Sequence, residues 1–251
     1  MTPQPRQHPT RLHFAAALAL ILTGMAAAFW LLDYHWSWNP VLKYWRLFLQ
    51  GWATTLALSA IALPLSTLAG LLLIAARRSP LPLLSEAARI WVELTRSTPL
   101  LVQIWFYFYV FGQVLSLQNR YLLGPLILAA FSGAYMSEIF RAGIESIGAS
   151  QLETARALGL TRAQTYRHVI LPQALRQMLP PAAGQFVSLI KDSSLLSVLG
   201  INELTLAAQE VNAFTYAAFE SYLPVAAGYL LLTIPISLWT QRLERRIRFE
   251  T

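Results

Sequence analysis

Residues 52–76 carry no charged side chain over 25 consecutive positions. No other feature constrains the fold as strongly. The hydrocarbon core of a bilayer is about 30 Å thick and takes about 20 residues of helix to cross. Inside it the backbone must satisfy its own hydrogen bonds, which a helix does segment by segment. The same pattern recurs at 14–32, 99–117, 121–137 and 222–241, all free of charge, and at 179–200, apolar except for Lys191 and Asp192. These six runs predict an all-α, polytopic membrane protein of about six transmembrane helices. Composition agrees: 56% of residues are hydrophobic and only 12% are charged, against about 25% charged in soluble domains. A water-soluble enzyme and a disordered tail are both excluded. With no cysteine in the chain, disulfides, thiolate metal sites and cysteine nucleophiles are excluded too.

The basic residues orient the runs. Arg6 and Arg11 precede the first; Arg77, Arg78, Arg89 and Arg96 separate the second and third. Arg141, Arg156, Arg162, Arg167 and Arg176 follow the fourth, and Arg242, Arg245, Arg246 and Arg248 follow the last. Only Lys43, Arg46 and Arg120 fall on the opposite side. The positive-inside rule therefore sets both termini of this multi-pass protein in the cytoplasm. It also explains the net charge of +7 without nucleic acid. Glu203, Glu210 and Glu220 fall in the last external loop, 201–221. The first run is longer than the roughly 7–15 residues of a signal-peptide core and leads into Phe29 and Trp30, so it is expected to be retained. Asp33, Trp36, Trp38, Tyr44 and Trp45 follow it as an external aromatic segment. The chain thus divides into 1–50 (tail, extra helix, aromatic segment) and 51–251.

The longest polar stretch, about 145–177, lies on the cytoplasmic side. Ser150 followed by Glu153 reads as a capping box opening a helix at Gln151, with Leu152, Ala155 and Leu158 on one side. Gly159 supplies a left-handed terminator. Thr161 followed by Gln164 reads as a second capping box, for a helix through Leu171 that stops or kinks at Pro172. Two short helices about a glycine make a rigid cytoplasmic knob. A plain connector and a helix-turn-helix DNA reader are the rival readings. The latter needs a third helix and its own core, which flanking spans leave no room for. The remaining reading is a docking element.

Here a resemblance becomes specific. ETARALG at 153–159, nine residues, then VILP at 169–172 resembles the EAA loop of ABC importer permeases, with Thr154 departing from the usual alanine. Glu93-Leu94-x-Arg96-x-Thr98-Pro99-Leu100-Leu101-Val102-Gln103, Ala134-Tyr135-x-x-Glu138-Ile139-x-Arg141, Leu171-Pro172-Gln173-Ala174 and Lys191-Asp192-Ser193-Ser194-Leu195 resemble the polar amino acid branch, the histidine-, glutamine- and arginine-type permeases. The likeness covers most of 51–245 and leaves the first helix as an addition. It implies a permease subunit that carries a polar amino acid across the inner membrane. The implied partners are a dimer of ABC ATP-binding subunits, a second permease chain (identical or not) and an extracytoplasmic solute-binding protein. Glu153, Ala155, Gly159, Leu171 and Pro172 are the implied ATPase-coupling residues.

The chain is not expected to be an enzyme. A P-loop needs Gly-Lys-Ser/Thr, whereas Lys43 follows Leu42 and Lys191 follows Ile190. The histidines His8, His13, His35 and His168 are scattered, so no metal site is expected, and this chain itself is expected to bind no cofactor. ATP and Mg belong to the partner. The alternative is a small ion-coupled secondary amino acid transporter. It calls for several ionisable groups within the spans but not for a cytoplasmic knob.

Glu138 and Arg141 share a helix face and can pair. Lys191 lies 12 residues after Leu179, about 18 Å along a helix and near mid-membrane. A charge there is costly unless it faces protein or water. Lys191, Asp192, Glu138 and Gln103 are therefore the candidate substrate path, with Glu138 a possible partner for a cationic substrate side chain. Gln103 and Gln113 read equally as bonding across helices or touching substrate, and the prolines Pro64, Pro99, Pro180, Pro181 and Pro235 are read as kinks.

Overall fold

The computed structural model describes residues 11–31, 34–114 and 116–248; Arg6, His8 and Asp33 lie outside the described residues. Every regular element among the described residues is helical. The chain forms two units, residues 1–38 and 39–251.

The first unit holds α1 (Arg11–Leu31). Its described side chains are almost all exposed. An apolar surface on all sides, with no polar face, suits a helix surrounded by lipid. Beyond it Trp36 and Trp38 stack, with ring centroids 6.0 Å apart, and Tyr34 meets Trp36 edge-on.

The second unit begins within α2 (Trp38–Leu42) and continues with α3 (Trp45–Arg77), α4 (Pro82–Ser97) and α5 (Leu100–Phe106). A π turn (Tyr107–Phe111) leads to α6 (Gly112–Val114), then α7 (Arg120–Glu145). Next come α8 (Ala149–Ala157) and α9 (Arg162–Thr165), then a second π turn (Tyr166–Ile170) and α10 (Leu171–Asp192). A 3-10 turn (Ser193–Leu199), α11 (Leu204–Thr215) and α12 (Ala218–Arg248) complete it.

Trp45–Arg77, Arg120–Glu145 and Ala218–Glu244 are long and apolar enough to cross a bilayer; Ala15–Leu31 and Leu100–Val114 are shorter apolar helices. The expected third span, 99–117, is thus interrupted by a π turn and ends at Val114. The expected run 179–200 is split between α10 and the 3-10 turn. The connection 77–98 is largely the amphipathic helix α4. It buries Ala88, Val92 and Thr95 and exposes Leu83, Ile90 and Leu94. Thr98 is extended ahead of Pro99 (φ −116°, ψ 146°), as the proline ring demands, and there the chain turns from α4 into α5.

Helices α3 and α7 make the central pair. A face of small and polar residues on α3, Thr55, Ser59, Ala62, Ser66 and Gly70, is buried. It lets the backbones approach closely, the usual solution between membrane helices. A Cβ at Gly70 would stand 2.6 Å from Met136 Cβ, and one at Gly133 2.6 Å from Ala69 Cβ. Around this seam Leu58, Ile104, Leu128, Leu189 and Leu196 form one core cluster, and Ile74, Met136, Phe140, Ala174 and Met178 another. The second cluster packs α10 onto the α3–α7 pair.

The expected external loop 201–221 is a correction. It folds as α11, seated against α3 and α12. Glu203 and Glu220 are fully buried, and Glu203 is the N-cap of α11, accepting from Thr205 N and Leu206 N at 2.8 Å each. The sequence pattern of acids near an outer surface missed this, because an N-cap carboxylate can satisfy otherwise unpaired amide donors inside the fold.

Candidate functional site

The polar stretch 145–177 builds its knob by a slightly different route from the expected one. α8 starts at Ala149 with Gly148 as N-cap and no side-chain cap. The Ser150–Glu153 capping box is therefore absent. Ser150 lies inside the helix, where its carbonyl accepts from Thr154 Oγ1 at 2.9 Å, and Glu153 is exposed. Leu152, Ala155 and Leu158 differ in burial: Ala155 is buried and Leu158 is 73% exposed, although Ala155 and Leu158 line one groove. The C-terminal end is as expected. Gly159 has φ +74°, Gly159 N donates to Arg156 O and Leu160 N to Ala155 O, both at 3.0 Å. This is a full Schellman motif. The second capping box also forms, with Thr161 N donating to Gln164 Oε1 at 2.9 Å and Gln164 N to Thr161 Oγ1 at 3.3 Å.

The second short helix does not stop at Pro172. α9 passes through the π turn directly into α10, with Pro172 in the first turn of the latter. The wider turn shifts the hydrogen-bond ladder ahead of a residue that has no N–H to give. Gln173 on α10 donates to Gln151 Oε1 of α8 at 2.5 Å and to Val169 O at 2.9 Å. The knob is thereby tied to a long helix that runs into the membrane domain. Glu153, Gly159, Leu171 and Pro172 are all exposed, and only Ala155 is buried. Ala155 instead lines a groove of about 240 Å³ with Gln151, Leu158, Leu160 and Val169.

The expected Glu138–Arg141 pair is present, with Arg141 donating to Glu138 Oε2 at 2.9 Å. It belongs to a larger cluster. Arg77 at the end of α3 donates to Glu138 Oε1. Arg96 at the end of α4 lies 3.4 Å from Glu138 Oε2. Arg141 also pairs with Glu145. The ends of α3 and α4 thus meet one carboxylate of α7. The sequence alone exposed only the partner three residues away, since Arg77 is 61 positions from Glu138. The excess of arginines over acids around this helix end was the one available signal.

Beside the cluster opens a cavity of about 380 Å³, lined by Arg96, Tyr135, Glu138, Arg141, Gln177 and Gln185 among others. The Arg96 guanidinium stands 5.5 Å from the Tyr135 ring centre, within cation–π range. Gln185 Nε2 donates to Ser132 Oγ at 3.2 Å, so α10 and α7 both face this space.

The other path candidates sit elsewhere. Gln103 is buried in the α4–α5 elbow and donates to Thr95 O and Thr98 Oγ1, each at 2.7 Å. It closes the C-terminal turn of α4. Lys191 is exposed and Asp192 half-buried at the junction of α10 with the 3-10 turn. The tertiary structure thus separates Glu138 from Lys191, Asp192 and Gln103.

A helical membrane domain with a rigid polar knob rooted in a helix beside a polar cavity defines a membrane-transport component. The chain belongs to the family of binding-protein-dependent transport system inner membrane components, whose model matches residues 62–249. It is 36% identical over 219 residues to the glutamine transport system permease protein of Escherichia coli (strain K12), covering 85% of this chain and 99% of that one. Over 202 residues it is 36% identical to the probable glutamine ABC transporter permease protein of Bacillus subtilis (strain 168), covering 80% and 93%. Among solved structures, an amino acid ABC transporter crystallised with histidines matches with a TM-score of 0.78 at 34% identity, over 85% of this chain and all of that one. The inward-facing MetNI methionine ABC transporter shares the fold, with a TM-score of 0.63 at 20% identity over 82% and 96%.

Proposed function

We propose that this chain is the permease subunit of an ATP-driven importer that carries a polar amino acid, of the glutamine type, inward across the cytoplasmic membrane. A separate pair of ATPase subunits docks on the knob formed by α8 and α9. A second permease chain completes the path, and a solute-binding protein delivers substrate at the outer face. Both termini lie in the cytoplasm. ATP and Mg belong to the ATPase, and this chain itself holds no cofactor.

The observation that carries this reading is mechanical. The knob is fixed by a Schellman motif and a capping box, tied to α10 through Gln173, and continuous with α10 through the π turn. Displacement of the knob by a closing ATPase is passed directly to α10. That helix carries Gln177, Pro181 and Gln185, which line the cavity beside Glu138. Glu153, Leu158, Gly159 and Pro172 present the exposed docking surface.

The test is uptake of labelled L-glutamine into proteoliposomes holding the full complex, with binding protein outside and ATP on the ATPase side. ATP-dependent accumulation is expected. Uptake that ignores ATP and collapses with an ionophore would favour the ion-coupled alternative and overturn the reading.

A further inference from the structure

Arg77, Arg96 and Arg141 set three positive charges against the two negative ones of Glu138 and Glu145. The cluster keeps one excess positive charge at a protein-lined cavity. Both oxygens of Glu138 are already engaged: Oε1 by Arg77, Oε2 by Arg141 and Arg96. Glu138 therefore has little left to offer a cationic ligand. Arg96 has the longest of these contacts, at 3.4 Å, and its side chain is 38% exposed. A guanidinium carries five N–H donors in a fixed fork that matches a carboxylate. The rest of the cavity wall supplies neutral donors and acceptors from Gln177, Gln185 and Ser146. At about 380 Å³ it falls at the small end of ligand sites, about 300–1,000 Å³.

We infer that Arg96 and Arg141 receive the carboxylate of the transported molecule on the cytoplasmic side of the path, and that the cavity takes amino acids with neutral or acidic side chains while rejecting cationic ones. This rests on the transport reading above. A lysine or arginine side chain entering the cavity would meet an excess positive charge and an acid already held by three guanidiniums. Like charges in a partly desolvated site repel strongly. A carboxamide instead finds Gln177 and Gln185. The ligand chemistry the site recognises is an anionic oxygen group, which a phospholipid headgroup also carries, and the experiment separates the two sources.

The full permease–ATPase complex is placed in nanodiscs of phosphatidylcholine, and binding of labelled L-glutamine is measured at equilibrium. L-Glutamate is expected to compete, whereas L-lysine and L-glutamine methyl ester compete at least about tenfold less well. Arg96→Gln is expected to weaken binding about tenfold or more, the loss of a charge-assisted contact, and Arg96→Lys to recover part of it. Arg141→Gln should act similarly. It also holds Glu138 and Glu145, so should it fail to fold, Arg96→Gln and the ester competitor still decide. Equal competition by L-lysine, or binding indifferent to both Arg96→Gln and the ester, overturns the inference. Retention of phosphatidylglycerol by the wild type that is lost in Arg96→Gln, with glutamine binding unchanged, assigns the cluster to a lipid headgroup and also overturns it. ATP-dependent uptake that persists unaltered in Arg96→Gln sinks this inference alone. Absence of ATP-dependent uptake in the wild type sinks the transport reading with it.

Discussion

Tyr229 on α12 donates its hydroxyl to Glu203 Oε2 at 3.0 Å, joining the last helix to the capped start of α11. The carboxylate also takes two backbone amides, from Thr205 and Leu206. Glu203 lies outside the spanning helices. Burial raises its pKa above the ordinary carboxylate value, against the opposing pull of these hydrogen bonds. A raised folded value means the native state holds the proton more readily than the unfolded chain. Its contribution is therefore fully favourable at low pH and is lost as pH rises toward the folded value. Tyr229→Phe removes one hydrogen bond to the charged form. We expect a loss of about 1.5–3 kcal/mol at alkaline pH, where the carboxylate is charged, shrinking as pH falls through the raised folded value. Thermal midpoints of the purified protein across pH check this; a pH-independent loss would sink the assignment.

The α3–α7 seam should be intolerant of side-chain volume. Gly133→Val and Gly70→Val each place atoms where a Cβ alone already stands 2.6 Å from a neighbouring Cβ. Each is expected to cost about 1–3 kcal/mol or more by overpacking. Gly184→Ala is the control, since nothing lies within 4 Å of the new Cβ. It should leave the melting temperature unchanged or raise it slightly through helix propensity.

Coupling should fail at Gly159. Its φ of +74° disfavours any side chain by about 1–2 kcal/mol, and the surrounding space is open. Gly159→Asp is thus expected to fold and insert while adding charge to the docking surface. Transport in proteoliposomes should drop sharply, and co-purification of the ATPase should weaken. Wild-type transport by this variant would show the knob to be only a connector.

Orientation can be read by labelling, because the chain contains no cysteine. Gln118→Cys and Asn202→Cys, both exposed positions, are expected to react with an impermeant thiol reagent in intact cells. Gln164→Cys is expected to react only after the cells are opened. Labelling of the last from outside would reverse the topology.

The sequence by itself determined what is local. Uncharged runs such as 52–76 dictate helices in lipid, because only a helix satisfies its backbone there within a single segment. The left-handed Gly159 and the Thr161–Gln164 capping box were equally legible, since each depends on residues within three or four positions. What depends on partners far along the chain was not. Glu138 and Arg141 are neighbours on one helix, but the convergence of Arg77 and Arg96 on the same carboxylate needs the ends of two other helices brought against it. Gln103 read as a path residue until the α4–α5 elbow supplied acceptors for its amide. Glu203 read as an external acid until α11 folded back against α3 and α12 and enclosed it as a cap. Propensity and periodicity act over one or two turns of chain. Which charge meets which, and which polar group is enclosed, is fixed only when packing decides which helices lie side by side.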